Sequence, residues 1–219
     1  MADTASGSAS GRPSSVTTAE ASTESHATSL GLSNEKLGMW TLLGSECLFF
    51  GALISAYLVY YGRYNGVPEV SPALYDIPFT SVSTFVLLMS SLGMVLALAA
   101  IQRGDDRGFR IWILATAMMG TVFLSGQIYE FTVFVNEGMR LDTSPFSSSF
   151  YVLTGFHGMH VTVGVLMLIT LWARSMTGRL TQANSETVEN IGLYWHFVDI
   201  VWIVIFTAIY LIPWEQATL

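Results

Sequence analysis

Charged side chains are scarce in this sequence. They make up 11% of its 219 residues, against 52% that are hydrophobic. Soluble domains carry roughly a quarter charged residues, so so low a share excludes an ordinary soluble domain if the apolar residues are clustered, and they are. Cysteine is nearly absent. The single Cys47 lies inside an apolar run, which rules out an intramolecular disulfide scaffold and a cysteine-based zinc site. Only four histidines are present. Proline is rare, and none of the six interrupts the centre of an apolar run. The formal net charge is -7 and nothing resembles a basic nucleic-acid patch, so no nucleic-acid partner is expected.

What is there is a polar stretch followed by five apolar blocks. Residues 1–33 are mostly Ser, Thr, Ala and Gly. They hold no apolar core like that of a signal peptide, and their single Arg12, with Asp3, Glu20 and Glu24, argues against a mitochondrial transit peptide. Residues 1–35 are read as a disordered polar tail, in which His26 needs no role. Residues 36–219 form the membrane domain. Its blocks, about 37–61, 78–101, 110–134, 150–173 and 192–213, are long enough to span a bilayer as helices, which takes about 20 residues each. Polar, turn-rich segments separate them: GRYNGVPEVSP, QRGDDRG, VNEGMRLDTSP and RSMTGRLTQANSETVEN. The fold class is therefore all-α, a five-helix transmembrane bundle; the runs lack the alternation of a membrane barrel.

Positive charges orient the bundle. With the N-terminus inside, the inner segments hold Arg12, Lys36, Arg103, Arg107, Arg110, Arg174 and Arg179, and the outer ones only Arg63 and Arg140. This bias predicts a cytoplasmic N-terminus and an external C-terminus. Trp40, Trp112, Trp172 and Trp214 fall near span ends, as interface anchors do. Small residues recur every four positions at Cys47, Gly51 and Ser55, and at Thr154, Gly158 and Thr162. Such faces let helices approach closely within a bundle. Met94, Met118 and Met119 are read as gap-filling core.

Away from the margins, six ionisable groups lie inside the spans: Glu46, Glu130, His157, His160, His196 and Asp199. A charged side chain at a helix centre costs about 3 kcal/mol on insertion scales. These groups should therefore face protein or water and pair with one another. At about 1.5 Å rise per residue, Glu46, His160 and Asp199 lie near the midplane, His196 slightly inward, and Glu130 and His157 outward. Depth alone pairs Glu46 with His196 or Asp199, and Glu130 with His157. His196 and Asp199 share a helix face at i, i+3, as do His157 and His160; Trp195 points partly elsewhere and is read as packing. Three readings of the set stand side by side. Two histidines, His157 or His160 with His196, could ligate a b-type haem. Glu46, His160, His196 and Asp199 could carry protons or ions in a self-standing transporter, although no internal repeat is evident. Or the set is a satisfied polar network that fixes helix packing.

Five stretches together resemble one family: WTLLGSECLFFGALISAYLVYY (40–61), IPFTSVSTFVLLMSS (77–91), SGQIYEF (125–131), SSFYVLTGFHGMHVTVGVL (148–166) and YWHFVDIVWIVIFTAIYLI (194–212). The chain is similar, from about residue 36 to 213, to subunit III of the haem–copper terminal oxidases, the cytochrome c and quinol oxidases of aerobic respiratory chains. It resembles the short bacterial form with five helices. The longer members have two further N-terminal helices that enclose a lipid-filled cleft, so lipid sites built from those helices do not carry over.

The resemblance implies a non-catalytic subunit of a proton-pumping enzyme in a prokaryotic plasma membrane. It holds no catalytic residue, haem or copper of its own. Haems and copper sit in partner subunits, where oxygen is reduced to water, and phospholipid is the one ligand left open for this chain. Subunit I is the implied main contact, with subunit II and, where present, subunit IV as further partners. The implied role is to sustain proton uptake by subunit I and to prevent turnover-linked inactivation. Glu46 then matches the family's intramembrane, carbodiimide-reactive carboxylate, acting either in structure or in proton uptake.

Overall fold

Long helices account for nearly all of the described residues of the computed structural model, which are 33–63 and 76–211. They are α1 (Asn34–Arg63), α2 (Ile77–Gln102), α3 (Asp106–Asn136), α4 (Pro145–Met176) and α5 (Ser185–Phe206), the last prolonged by a π-helical segment, Thr207–Leu211. Each coincides with one expected span, each is long and apolar enough to cross a membrane, and no strand occurs among the described residues. The bulk of the expected N-terminal tail, Trp214 and the end of the fifth span lie outside the described residues.

Helix starts follow from local chemistry. Asp76 accepts a hydrogen bond from Phe79 N at 3.1 Å and Asp105 one from Gly108 N at 2.9 Å, each satisfying a donor that the first turn leaves open. Ser144 does the same for Ser147 N, and Pro145 follows at the first helical position. That cap is why α4 begins at 145 and not near 150, where the apolar run starts. Between α2 and α3 the turn needs a left-handed residue, supplied by Gly104 at φ +75°.

α2 to α5 form a closed ring: α2 packs on α3 and α5, and α4 on α3 and α5. Trp195 of α5 is fully buried at its centre. A Cβ on Gly120 of α3 would come within 2.6 Å of the Trp195 ring, and one on Gly164 of α4 within 2.7 Å. Two glycines on facing helices thus form the slot that admits the indole, and Trp195 is packing, as expected.

α1 stands outside this ring. Only 17% of its most apolar stretch is buried within the chain, against 56% for α5. It touches α4 through Phe49 on Phe156, Phe50 on His157 and His160, and Tyr57 on Phe146. Lys36 also bonds Glu189 of α5 at 2.6 Å. Two expectations need correction here. The Cys47, Gly51 and Ser55 face of α1 is exposed, and a Cβ on Gly51 would meet nothing within 4 Å. Four-residue spacing marks a small face but not the surface it meets. Met118 likewise points outward at 61% exposure, whereas Met94 is core.

Candidate functional site

The face of α2 that carries hydroxyls organises the polar interior. Thr80, Thr84 and Ser91 lie at i, i+4 and i+11, so they share one side of the helix. Near the start of α2, Thr80 donates to Glu130 Oε1 of α3 at 2.5 Å, and Tyr210 OH donates to the same oxygen at 3.1 Å. The π-helical segment after α5 is what places buried Tyr210 there. One level deeper, Thr84 Oγ1 accepts the indole N–H of Trp202 at 2.9 Å. Deeper again, Ser90 Oγ accepts that of Trp195 at 2.9 Å. Beside it, Ser91 Oγ lies 3.0 Å from His196 Nδ1 and donates to Asp199 Oδ2.

The structure therefore re-pairs the ionisable groups. Glu46 does not meet His196 or Asp199; its Oε2 stands 3.3 Å from Nε2 of His160, across the α1–α4 contact. His160 Nδ1 lies 2.8 Å from the Phe156 carbonyl, which as an acceptor fixes the ring with a proton on that nitrogen. Tyr194 OH donates to the His160 carbonyl at 3.1 Å and ties α5 to the same turn of α4. Glu130 does not meet His157. That histidine is fully buried, stacks on Trp202 with ring centroids 4.8 Å apart, and presents Phe123 and Phe50 edge-on contacts. Among the described residues neither of its ring nitrogens has a hydrogen-bond partner. His196 and Asp199 do share a face, as their spacing predicts, and that face meets α2.

Sequence reasoning overlooked Thr80, Thr84, Ser90, Ser91, Tyr210 and Gln127. Gln127 Nε2 donates to the Thr154 carbonyl at 2.7 Å beside Gly158, where a Cβ would meet Oε1 at 2.8 Å. The signal available was the recurrence of hydroxyls through IPFTSVSTFVLLMSS. Hydroxyls in membrane helices commonly bond their own preceding turn, and here Thr121, Ser125 and Thr162 do so. Among the described residues no group of three or more His, Cys, Asp or Glu side chains is placed to hold a metal ion. The polar residues instead cross-link helices, at the α1–α4, α2–α3, α2–α5, α3–α4 and α4–α5 contacts.

Residues 15–215 match the family model described as cytochrome c oxidase subunit III. The chain is 39% identical over 178 residues to cytochrome c oxidase subunit 3 of Bacillus sp. (strain PS3), covering 81% of this chain and 86% of that protein. It is 41% identical over 177 residues to cytochrome c oxidase subunit 3 of Synechocystis sp. (strain ATCC 27184 / PCC 6803 / Kazusa), covering 80% and 74%. It is 37% identical over 177 residues to quinol oxidase subunit 3 of Bacillus subtilis (strain 168), covering 80% and 85%. Five apolar helices joined in the expected order, with the described residues of the quoted motifs inside them, thus accompany a match along nearly the whole chain: this is a multi-pass membrane protein of the cytochrome c oxidase subunit III family, the non-catalytic third subunit of a haem–copper oxidase.

Proposed function

We propose that this chain stabilises subunit I of a prokaryotic plasma-membrane oxidase and sustains its proton uptake, with haems and copper held by the partner subunits. The match over residues 15–215 carries this reading. Relatives bear both cytochrome c oxidase and quinol oxidase names, so the electron donor is set elsewhere in the complex. Subunit I is the main contact, with subunits II and IV and membrane phospholipid as further neighbours. The sparsely buried α1 supports an assembly role, because a helix with so little of its surface covered by its own chain has surface left for lipid or a neighbouring subunit.

The N-terminus is assigned to the cytoplasm. Lys36, Arg103, Arg107, Arg110, Arg174 and Arg179 all belong to one end of the bundle, where Arg110 donates to the Ser175 carbonyl at 2.9 Å and Gln182 to that of Gln102 at 2.6 Å. Clustered Lys and Arg mark the inner side. Residues 1–35 are proposed to be a separate polar tail.

Glu46, Glu130, His157, His160, His196 and Asp199 are proposed to act first as a polar network that fixes helix packing. The test is purification in mild detergent through a tag on this chain, with a reduced-minus-oxidised spectrum and mass spectrometry of what co-elutes. Haem bands with stoichiometric subunits I and II are expected. A colourless, monodisperse protein eluting alone from fresh membranes would overturn the assignment.

A further inference from the structure

The adjacent serines of α2 have different tasks. Ser90 is wholly buried and takes the Trp195 indole. Ser91 lies at the seam between α2 and α5, where its hydroxyl meets two ionisable groups of α5: His196 Nδ1 at 3.0 Å and Asp199 Oδ2. A serine hydroxyl has one proton and donates one hydrogen bond. One of its two neighbours must therefore donate to it. If Ser91 donates to Asp199, His196 presents its proton at Nδ1 and a bare lone pair at Nε2. If Ser91 donates to His196, Asp199 carries a proton on Oδ2 and His196 carries its own on Nε2.

The two arrangements differ by one proton. We propose that His196, Ser91 and Asp199 form an intramembrane proton relay, in which a proton taken up at His196 Nε2 leaves Asp199 protonated at Oδ2. The bonds balance. An N–H bond forms at Nε2 from a proton donated by water or a neighbouring acid. The Nδ1–H bond breaks as that proton passes to Ser91 Oγ. The original Ser91 O–H bond breaks as its proton passes to Oδ2. No heavy atom need change partner, and no electron is gained or lost. The histidine is neutral before and after but has changed tautomer, and the cluster goes from one negative charge to none.

Burial gives the relay its direction. Asp199 is only 2% exposed, and its Oδ1 is buried with no hydrogen-bond partner among the described residues. An ionised carboxylate would hold charge on that unmatched oxygen, which is costly away from water; the acid form relieves it. His196 is only partly buried and is the accessible end. The ionisable groups on the neighbouring helices are engaged elsewhere: Glu46 with His160, Glu130 with Thr80 and Tyr210, and His157 stacked on Trp202. On α5 itself, Tyr194 donates to the His160 carbonyl. None of these is hydrogen-bonded to or ion-paired with Asp199 or His196 among the described residues.

The test is infrared pH-difference spectroscopy of the complex purified through this chain, with ring-labelled histidine, scanned from acid to alkaline pH. Wild type is expected to lose a carboxylic-acid C=O band as pH rises, in step with a switch of one histidine from the Nε2–H to the Nδ1–H tautomer. Asp199→Asn should abolish the band. Ser91→Ala should abolish the tautomer switch, and Ser91→Thr, which keeps the hydroxyl, should retain both signals in step. Band and switch that titrate separately in wild type, absence of either signal, or a Ser91→Ala protein with both in step would each overturn the relay. Should Ser91→Ala not assemble, the wild-type and Ser91→Thr spectra decide. The relay uses no partner residue, so the isolated full chain should give the same signals, and its failure is distinct from failure of the oxidase assignment.

Discussion

His160 Nε2 stands 3.3 Å from Glu46 Oε2, and this contact joins the least buried helix, α1, to the rest of the bundle. Both side chains keep some exposure, 14% and 22%, so the pair is not sealed in a dry core. Interhelical polar contacts in membranes average about 0.6 kcal/mol and seldom exceed about 1.7. A double-mutant cycle of Glu46→Ala and His160→Ala, read by thermal unfolding of the complex, should give a coupling energy in that range. A coupling near zero would mean that the two groups do not interact. Oxidase assembly and initial oxygen consumption should survive Glu46→Ala, because no electron passes through this chain; loss of turnover in the first seconds from a fully assembled complex would contradict it.

The slot around Trp195 makes a sharper stability prediction. On α4, a Cβ at Gly164 would enter the indole at 2.7 Å, while one at Gly155 would meet nothing within 4 Å. Gly164→Ala should lower stability by about 1–3 kcal/mol through overpacking. Gly155→Ala, on the same helix, should be neutral or stabilising by up to about 1 kcal/mol, since alanine is the better helix former. Thermal melts of the two complexes side by side check this, and equal midpoints would remove Trp195 from its place at the centre of the ring.

Hydropathy alone read the number, order and span of the helices, because a membrane-spanning run must be long, apolar and continuous. It read less of the interior for a geometric reason. Sequence position places a residue along its own helix: Glu46 meets His160, a group expected at its own depth, while Glu130 meets Thr80 near the start of α2 and Tyr210 in the segment after α5. Depth does not fix which helices are neighbours or how each is rotated, so both predicted pairings went to the wrong partner. The same gap turned the small face of α1 inward on paper and outward in the fold. Thr80, Thr84 and Ser91 went unnoticed because a hydroxyl in an apolar helix carries no charge to be neutralised and can always bond its own preceding turn.

Glu130 accepts from both Thr80 and Tyr210 through one oxygen, Oε1. Glu130→Gln keeps a carbonyl oxygen that can take the same bonds, whereas Glu130→Leu leaves the buried Tyr210 hydroxyl without this acceptor. Losing one such hydrogen bond costs about 0.5–1.5 kcal/mol net. The expected stability order is wild type, close to Gln, then Leu, with Glu130→Leu combined with Tyr210→Phe recovering part of the loss. If the Gln variant fell as far as the Leu variant, the ionised carboxylate would be needed and hydrogen-bond acceptance alone would not explain the site.

His157 distinguishes a packing role from a chemical one most cleanly. Its ring is fully buried, stacked on Trp202 and ringed by Phe50 and Phe123, with no hydrogen-bond partner for either nitrogen among the described residues. A polar group that makes no hydrogen bond gains nothing from its polarity, so an apolar ring of similar shape should serve as well. His157→Phe is therefore expected to keep the melting temperature of the complex, or raise it, by preserving the aromatic stack. His157→Ala removes the ring and leaves a cavity, and large-to-small changes of this kind cost about 2–5 kcal/mol. Thermal stability of the two variants in the assembled complex is the measurement. Equal destabilisation by Phe and Ala would mean that the imidazole nitrogens bind something that the packing around them does not supply, and His157 would then join Ser91, His196 and Asp199 as a group with chemistry of its own.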